Sequence, residues 1–366
     1  MNMEDRFRLV KKIIKWVLIA VLIIAIVFMA FLGIMTLFEY NPKDAETLEI
    51  MAGDAETRMV APGDELTVMT FNIGYGGLGE TQDFFMDGGD MVQPESVEDV
   101  ERNMEGVTDI ISGNPADVYF VQEVDRDSKR SFETDELLLL YDEMKMDAAF
   151  ATNYKSAFVP YPVPPIGKVH SGLATFSTLE AERAQRISLP VPFSWPVRMF
   201  NLKRCLLTER VPMEGGADLV LINLHLEAYD DGDGREEQTR MLMELIRKEY
   251  QDGNYVIAGG DFNQEFPGAG YPVVDEDWWQ PGVLDEGLLP EGFRYVTDGS
   301  TPTCRLGNEP YTDEGEKQYY VIDGFIVSSN IQVLEVETLD EGFRSSDHNP
   351  VRMTVQLMEQ DEEEGN

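Results

Sequence analysis

The chain is short of the residues that staple folds or ligate soft metals. Its 366 residues include two cysteines, Cys205 and Cys304, far apart in sequence. Neither sits in a Cys-x-x-Cys pair or a His/Cys cluster, which excludes a disulfide framework and a structural zinc site. Two free thiols are expected, with a single bridge as the alternative if the domain lies outside the cytoplasm. Positive charge is also scarce: 29 Lys and Arg face 68 Asp and Glu, for a net charge of −39. Such a surface repels DNA, RNA and anionic lipid at long range and weighs against tight nonspecific nucleic-acid binding. It does not exclude a phosphate substrate, because a bound cation reverses the sign locally. There is no internal repeat. An apolar fraction of 43% with 10% aromatics is too high for a disordered chain.

Long apolar runs are absent apart from one, Ile13 to Leu37, interrupted by Lys15. Val17 to Leu37 alone matches the thickness of a bilayer core. The run exceeds a signal-peptide core, and Phe38-Glu39-Tyr40-Asn41 offers no small-residue cleavage site. It therefore reads as an uncleaved signal anchor. Arg6, Arg8, Lys11, Lys12 and Lys15 lie at its N-terminal side, and Glu39, Asp44, Glu46 and Glu49 follow it. The positive-inside rule then places the N-terminus in the cytosol and the bulk of the chain outside. The expected organisation is a basic cytosolic segment (1–12), a transmembrane anchor (13–37), an acidic linker (38–64), a catalytic domain (65–358) and a solvated acidic tail (359–366).

Within the domain, strands are expected at 65–72, 118–121, 173–177, 219–224, 255–258, 319–326 and 351–357. A helix should start at the capping box Ser96-Val97-Glu98-Asp99, run through Val100, Met104, Val107 and Ile111, and stop at Gly113-Asn114-Pro115. A second fits Arg235 to Tyr250, with Met241, Leu242, Leu245 and Ile246 inward. The elements lack a regular βαβα rhythm, which favours a two-sheet α/β sandwich. Several apolar runs end in a polar residue: Asn72, Glu123, His225, Asp261 and Asp323. Side chains at strand ends are placed to converge on one cleft.

The residue types fit hydrolysis of a phosphate ester. A hard divalent cation, Mg²⁺ or alternatively Mn²⁺ or Ca²⁺, needs one or two carboxylates and an amide, for which Glu123, Asn72 and Asp347 are the candidates. Either Asp261 or His348 can deprotonate a water, with Asp323 fixing the His348 tautomer. Asn263, two residues beyond Asp261, should share its face in an extended segment and donate to a phosphoryl oxygen. His225 can donate to another phosphoryl oxygen or act as an acid. His170 has no motif partner, and Asp230 to Gly234 lacks the glutamate of a calcium loop. Trp278 and Trp279 lie in an insertion, 264–317, which reads either as a lid or as packing of the insertion itself.

Thr70-Phe71-Asn72, Gln122-Glu123, Asn223-Leu224-His225-Leu226, Gly260-Asp261-Phe262-Asn263, Ile322-Asp323 and Ser346-Asp347-His348-Asn349-Pro350 follow one another in an order that resembles the endonuclease/exonuclease/phosphatase superfamily. That group includes pancreatic-type deoxyribonucleases, abasic-site endonucleases, neutral sphingomyelinases and inositol-phosphate phosphatases. The resemblance spans about Leu66 to Leu357. It implies a four-layer α/β sandwich and Mg²⁺-dependent hydrolysis. It makes Asn72, Glu123 and Asp347 metal-side residues and Asp261 with Asn263 the pair that orients water and phosphate. Asp323 with His348 becomes a dyad, and His225 the phosphate-binding or acid histidine. Leu224 stands where threonine is common, and Asp323-Gly324-Phe325 departs from the usual Asp-Tyr or Asp-His. No counterpart of the abasic-site enzymes' tyrosine is evident.

Three functions compete. The first is a membrane-anchored phosphoesterase acting on a lipid headgroup or small phosphate ester. The second is an extracytoplasmic nuclease, whose best support is the basic cluster Arg126, Lys129 and Arg130. The third is a binding domain of the same fold with weak catalysis. The orientation is directly testable: protease added to intact cells should degrade the domain, and full protection would reverse the topology.

Overall fold

Both faces of the central strands are apolar, and this dictates the layering. In the strand Asp218–His225, Leu219 and Leu221 point to one side and Val220 and Ile222 to the other, and all four are buried. A strand covered on both faces needs a layer on each side. The computed structural model describes residues 3–230, 232–312 and 314–359. Two seven-stranded mixed sheets stack face to face. One runs in the order Ala45–Leu48, Arg183–Ser188, Cys205–Pro212, Asp218–His225, Tyr255–Asp261, Asp323–Ser328, Phe293–Val296. The other runs Ile331–Thr338, Val351–Leu357, Glu65–Asn72, Val118–Asp125, Gly167–Ser177, Asp147–Val159, Ile50–Met51. Val68, Phe120, Leu221, Ile257, Phe325 and Met353 fill the space between them.

Four helices are described, α1 (Met3–Leu37), α2 (Val97–Gly113), α3 (Glu136–Met144) and α4 (Asp233–Gln251). Val100, Met104, Val107 and Ile111 of α2 join Leu137 and Leu140 of α3 on the outer face of the second sheet. Leu242, Met243 and Ile246 of α4 cover the outer face of the first. The result is the expected four-layer α/β sandwich. The Ser96 capping box forms as read: its Oγ accepts from the Asp99 N–H, and its own N–H donates to the Asp99 carboxylate at 3.1 Å. At α4, Asp230 Oδ2 accepts from the N–H groups of Gly234 and Arg235, so this acid anchors the helix start.

Three expectations need correction. Residues 38–64 were read as a linker from their charge and Pro/Gly content. They instead place one edge strand on each sheet, Ala45–Leu48 antiparallel to Arg183–Ser188 and Ile50–Met51 antiparallel to Asp147–Val159. Half-buried Glu46, Leu48 and Ile50 alternate with exposed Ala45, Thr47 and Glu49, which is an edge-strand pattern. The 319–326 strand is two elements, and Asp323 opens the second of them where an ending had been read. The strand at 118 runs on to Asp125 through a bulge between Val121 and Val124. The 264–317 insertion also contributes Phe293–Val296 to the first sheet. Of the acidic tail, all but Glu359 lies outside the described residues.

α1 is long and apolar enough to cross a membrane by length and composition, with a mean hydropathy of 3.3 over its most apolar window. Cys205 and Cys304 are free, and each is buried in a different apolar cluster.

The edge strands give a stability test. A chain starting at Asn41 keeps them; one starting at Asp64 loses both, together with the fully buried Val60. The shorter chain should be less stable by at least roughly 2–3 kcal/mol, the value of one buried aliphatic side chain. Chemical denaturation checks this, and equal midpoints would restore the linker reading.

Candidate active site

Strand register sets the site. Asp218–His225 and Tyr255–Asp261 run parallel and pair His225 with Asp261; the antiparallel neighbour pairs Asp261 with Asp323. Gly260 allows the close approach, since a Cβ there would meet the Leu224 carbonyl oxygen at 1.9 Å. Across the sandwich, Glu65–Asn72 and Val118–Asp125 also run parallel and bring Asn72 beside Gln122. Glu123 lies in the bulge with φ +57°, a conformation rare for a non-glycine residue. The bulge redirects its side chain into the same cleft.

Asp347 and His348 arrive on the loop before the last strand. Ser346 ties that loop down, its Oγ donating to the Asn72 carbonyl at 2.8 Å and accepting from the His348 N–H at 3.2 Å. His348 Nδ1 lies 2.9 Å from Asp323 Oδ2, so the expected dyad is formed. The His348 Nε2 is 3.9 Å from Asp261 Oδ2, and the His225 Nε2 is 3.3 Å from the same oxygen. The Asn72 amide nitrogen donates to Asp261 at 3.0 Å and to Glu123 at 3.3 Å. All these side chains are buried or nearly so at the floor of one cleft of about 450 Å³, which Glu123, His225, Asp261, Asn263, Asp347 and His348 line.

Burial and neighbours divide the titrating groups. Burial, reinforced by Asp323, lifts the Asp261 carboxyl to about 7. Burial also raises Glu123 and Asp347, with the Arg130 guanidinium opposing the rise at Glu123. Burial holds His225 well below the ordinary histidine range. Burial alone would lower His348 too, but Cys304 and Asp323 against its ring carry it well above that range. The two histidines are therefore unlike: His348 favours the imidazolium and His225 the neutral ring. Buried His225 Nδ1 and Asp323 Oδ1 have no hydrogen-bond partner.

Asn263 departs from the expected geometry. The segment turns at φ +50° and is not extended. Its N–H donates to Asp261 Oδ1 at 2.8 Å and its side-chain amide to the Leu226 carbonyl at 2.8 Å. Asn263 thus reaches the cleft while steadying both Asp261 and the segment after His225. Among the described residues, the tightest group of metal-type ligand atoms is Asp261, Asp323 and His348, all within 4.8 Å. This differs from the expected set of Asn72, Glu123 and Asp347. The His348–Asp323 hydrogen bond accounts for the first group without a cation. In the second, two buried carboxylates face the cleft, and they suit a hard, oxygen-seeking cation.

Three further groups shape the site, of which Arg130 and Trp279 had been noted in sequence for other roles and Gly74 had not. Arg130 lines the cleft, makes a two-pronged ion pair with Asp125 and lies 3.6 Å over the Tyr75 ring. Gly74, at φ +53°, gives its N–H to Asn72 Oδ1 and leaves room for Asp347. Trp279 forms part of the cleft wall, with its indole N–H on the Ala228 carbonyl. His170 stays outside the lining, against Thr152 and Phe150.

The model of the endonuclease/exonuclease/phosphatase family matches residues 69–348, which contain every one of these side chains. The chain belongs to this family. Among solved structures, a family member from Beutenbergia cavernae superposes with a TM-score of 0.56 at 19% identity, covering 80% of this chain and 72% of that one. A second, from Leptotrichia buccalis, gives 0.50 at 16% identity over 79% and 98%. These likenesses establish the fold. A search of curated proteins finds no match to the chain.

The His348 dyad can be tested directly. Asp323→Asn removes an anion from the ring and leaves burial, so the His348 imidazole should titrate at lower pH than in the unaltered chain. NMR of the ring protons reads this, and an unchanged titration would separate the pair.

Proposed function

We propose that the chain is a membrane-anchored, divalent-metal-dependent phosphoesterase that hydrolyses a phosphate mono- or diester by in-line attack of water. The observation that carries this reading is the gathering of Asn72, Glu123, His225, Asp261, Asp323, Asp347 and His348 at one cleft floor from opposite sheets. Glu123 and Asp347, with Asn72 beside them, would hold the cation, most simply Mg²⁺. Bound there, it supplies charge neutralisation to the phosphoryl oxygens.

The residues themselves divide the remaining work. Asp261, with a carboxyl shifted to about 7, accepts the proton of the attacking water. His348, held as imidazolium by Asp323, donates to a phosphoryl or leaving oxygen. His225, kept neutral by burial, supplies a second ring contact. Asn263 fixes the Asp261 carboxylate through its backbone N–H. As water adds to phosphorus and the ester P–O bond breaks, one proton moves to Asp261 and one reaches the departing oxygen.

The anchor is assigned to α1, with the N-terminus cytosolic and the catalytic domain extracytoplasmic. Helix length and apolarity support the anchor, and flanking charge supports the orientation. The nuclease reading loses most of its best argument, because Arg126 pairs with Asp135 and Arg130 with Asp125, which leaves exposed Lys129. Neither guanidinium is free for a nucleic-acid backbone.

The purified protein should cleave an aryl phosphodiester or monoester with Mg²⁺ and stop with EDTA. Asp261→Ala and His348→Ala should each lower turnover at least about 10²-fold. Turnover that survives EDTA would refute the metal assignment. Unchanged rates in both variants would remove them from the site, and plasmid nicking at matching rates would favour the nuclease.

A further inference from the structure

The cleft is polar at its floor and apolar at its walls, and one wall is continuous with α1. Val159, Pro160, Tyr161 and Ile166 come from the turn between two strands, and Phe193, Val197, Phe200 and Leu202 from the segment before Cys205. Phe200 serves both structures. It lines the cleft, and its ring stacks on Phe31 of α1 with centroids 6.2 Å apart and planes 8° from parallel. Leu32 and Met35 of the same helix bury against Met199, and Phe31 meets Phe158 edge-on. Just beyond the helix, Glu39 pairs with Arg198 at 3.1 Å and Lys203 at 3.3 Å. The end of the helix is thus fixed to the rim of the cleft by apolar and ionic contacts.

Length then places this rim. The apolar run of the helix begins at Ile13 and stays uncovered, apart from half-buried Ile19, to Ala30, about 18 residues or about 27 Å. That is close to the ~30 Å hydrocarbon core of a bilayer. A bilayer filling the uncovered stretch ends where Phe31 touches the domain, so the rim lies at the membrane surface. The rim is built for that position. Val163 is 91% exposed, and Phe158, Tyr161, Trp195 and Val197 also present apolar surface to the outside. Aromatic and aliphatic side chains grouped this way fit the headgroup boundary and are costly in water.

Resting on the phosphoesterase reading above, we propose that this wall is a membrane-facing vestibule and that the substrate is a lipid-borne phosphoester. Its acyl chain lies along Tyr161, Val197 and Phe200 while its phosphate reaches Asp261 and His348. The substrate enters sideways from the leaflet that holds the anchor. The acidic exterior does not oppose this route, because the rim that meets the bilayer is apolar.

The test uses the full chain in phosphatidylcholine vesicles with Mg²⁺ and two chromogenic diesters, p-nitrophenyl methyl phosphate and p-nitrophenyl hexadecyl phosphate. The bond cleaved is the same, and only the chain differs. The hexadecyl ester should show the higher kcat/KM. Partition into the vesicle raises its local concentration for any anchored enzyme, so rim variants decide. Val163→Glu, at a side chain that packs on nothing, and Trp195→Glu should cut hexadecyl turnover about tenfold, the effect of losing one apolar contact. Both should leave methyl turnover unchanged. Equal loss on both esters, or no loss on either, overturns the vestibule while the phosphoesterase reading stands. If neither ester is cleaved, the phosphoesterase reading falls. A second readout then decides the docking: brominated lipids should quench tryptophan emission more in the unaltered chain than in Trp195→Phe, and equal quenching overturns it.

Discussion

The rest of the site depends on holding several acids together away from water. Asp261 and Asp323 face each other across paired strands, with ligand oxygens within 4.8 Å. At that separation and an effective dielectric of about 20, two full charges repel by roughly 3–4 kcal/mol. The fold answers with specific contacts. Asn72 donates to two carboxylates, the Asn263 N–H to one, and His348 lies against Asp323. An Asp261 carboxyl that titrates near neutrality is protonated part of the time, which eases the repulsion, and its unprotonated form is the one able to take a proton. A cation between Glu123 and Asp347 would offset the rest. Stability and chemistry therefore make the same demand for positive charge at the cleft floor.

This explains why the site was readable where it was. Asn72, His225 and Asp261 end strands whose apolar patterns are plain, and their partners follow from parallel pairing. The four-layer architecture was legible for the same reason, since runs such as 219–224 and 255–258 are apolar on both faces. The Asn263 side chain was misplaced because a two-residue spacing implies a shared face only in extended backbone, and the chain turns there at φ +50°. Asp323 was given the wrong end of its strand because the apolar run Tyr319 to Ile322 leads directly into it, and the interruption at 321–322 leaves no mark in the sequence.

Other features were hidden for physical reasons. Arg130 counted in sequence as part of a basic cluster, a sign of nucleic acid. In the fold it is buried against Asp125 and Tyr75, where it moderates the rise of Glu123. A charge that is consumed internally cannot advertise a polyanion site, and local sequence does not show which charges are consumed. The 38–64 segment misled in the opposite sense. The one acid within its edge strands, Glu46, is half-buried, and exposed Asp44 and Glu49 flank the strands, so charge at a sheet edge passed for a linker.

The division of labour within the fold follows from these constraints. The residues proposed to handle a phosphate lie on paired strands or on a loop pinned by Ser346, where positions are held by register and buried hydrogen bonds. The residues of the cleft walls lie on the 160–166 turn, the segment before Cys205 and the insertion carrying Trp279, where the chain can vary without disturbing register. The floor can therefore be common to a family while the walls are particular to one chain. Here one wall is clamped to the end of α1 through Phe31 and Phe200. That clamp fixes the orientation of the cleft relative to the helix, which a flexible tether would leave free. A long acidic linker would have given proximity alone; edge strands at 45–51 and ionic contacts at Glu39 remove the slack.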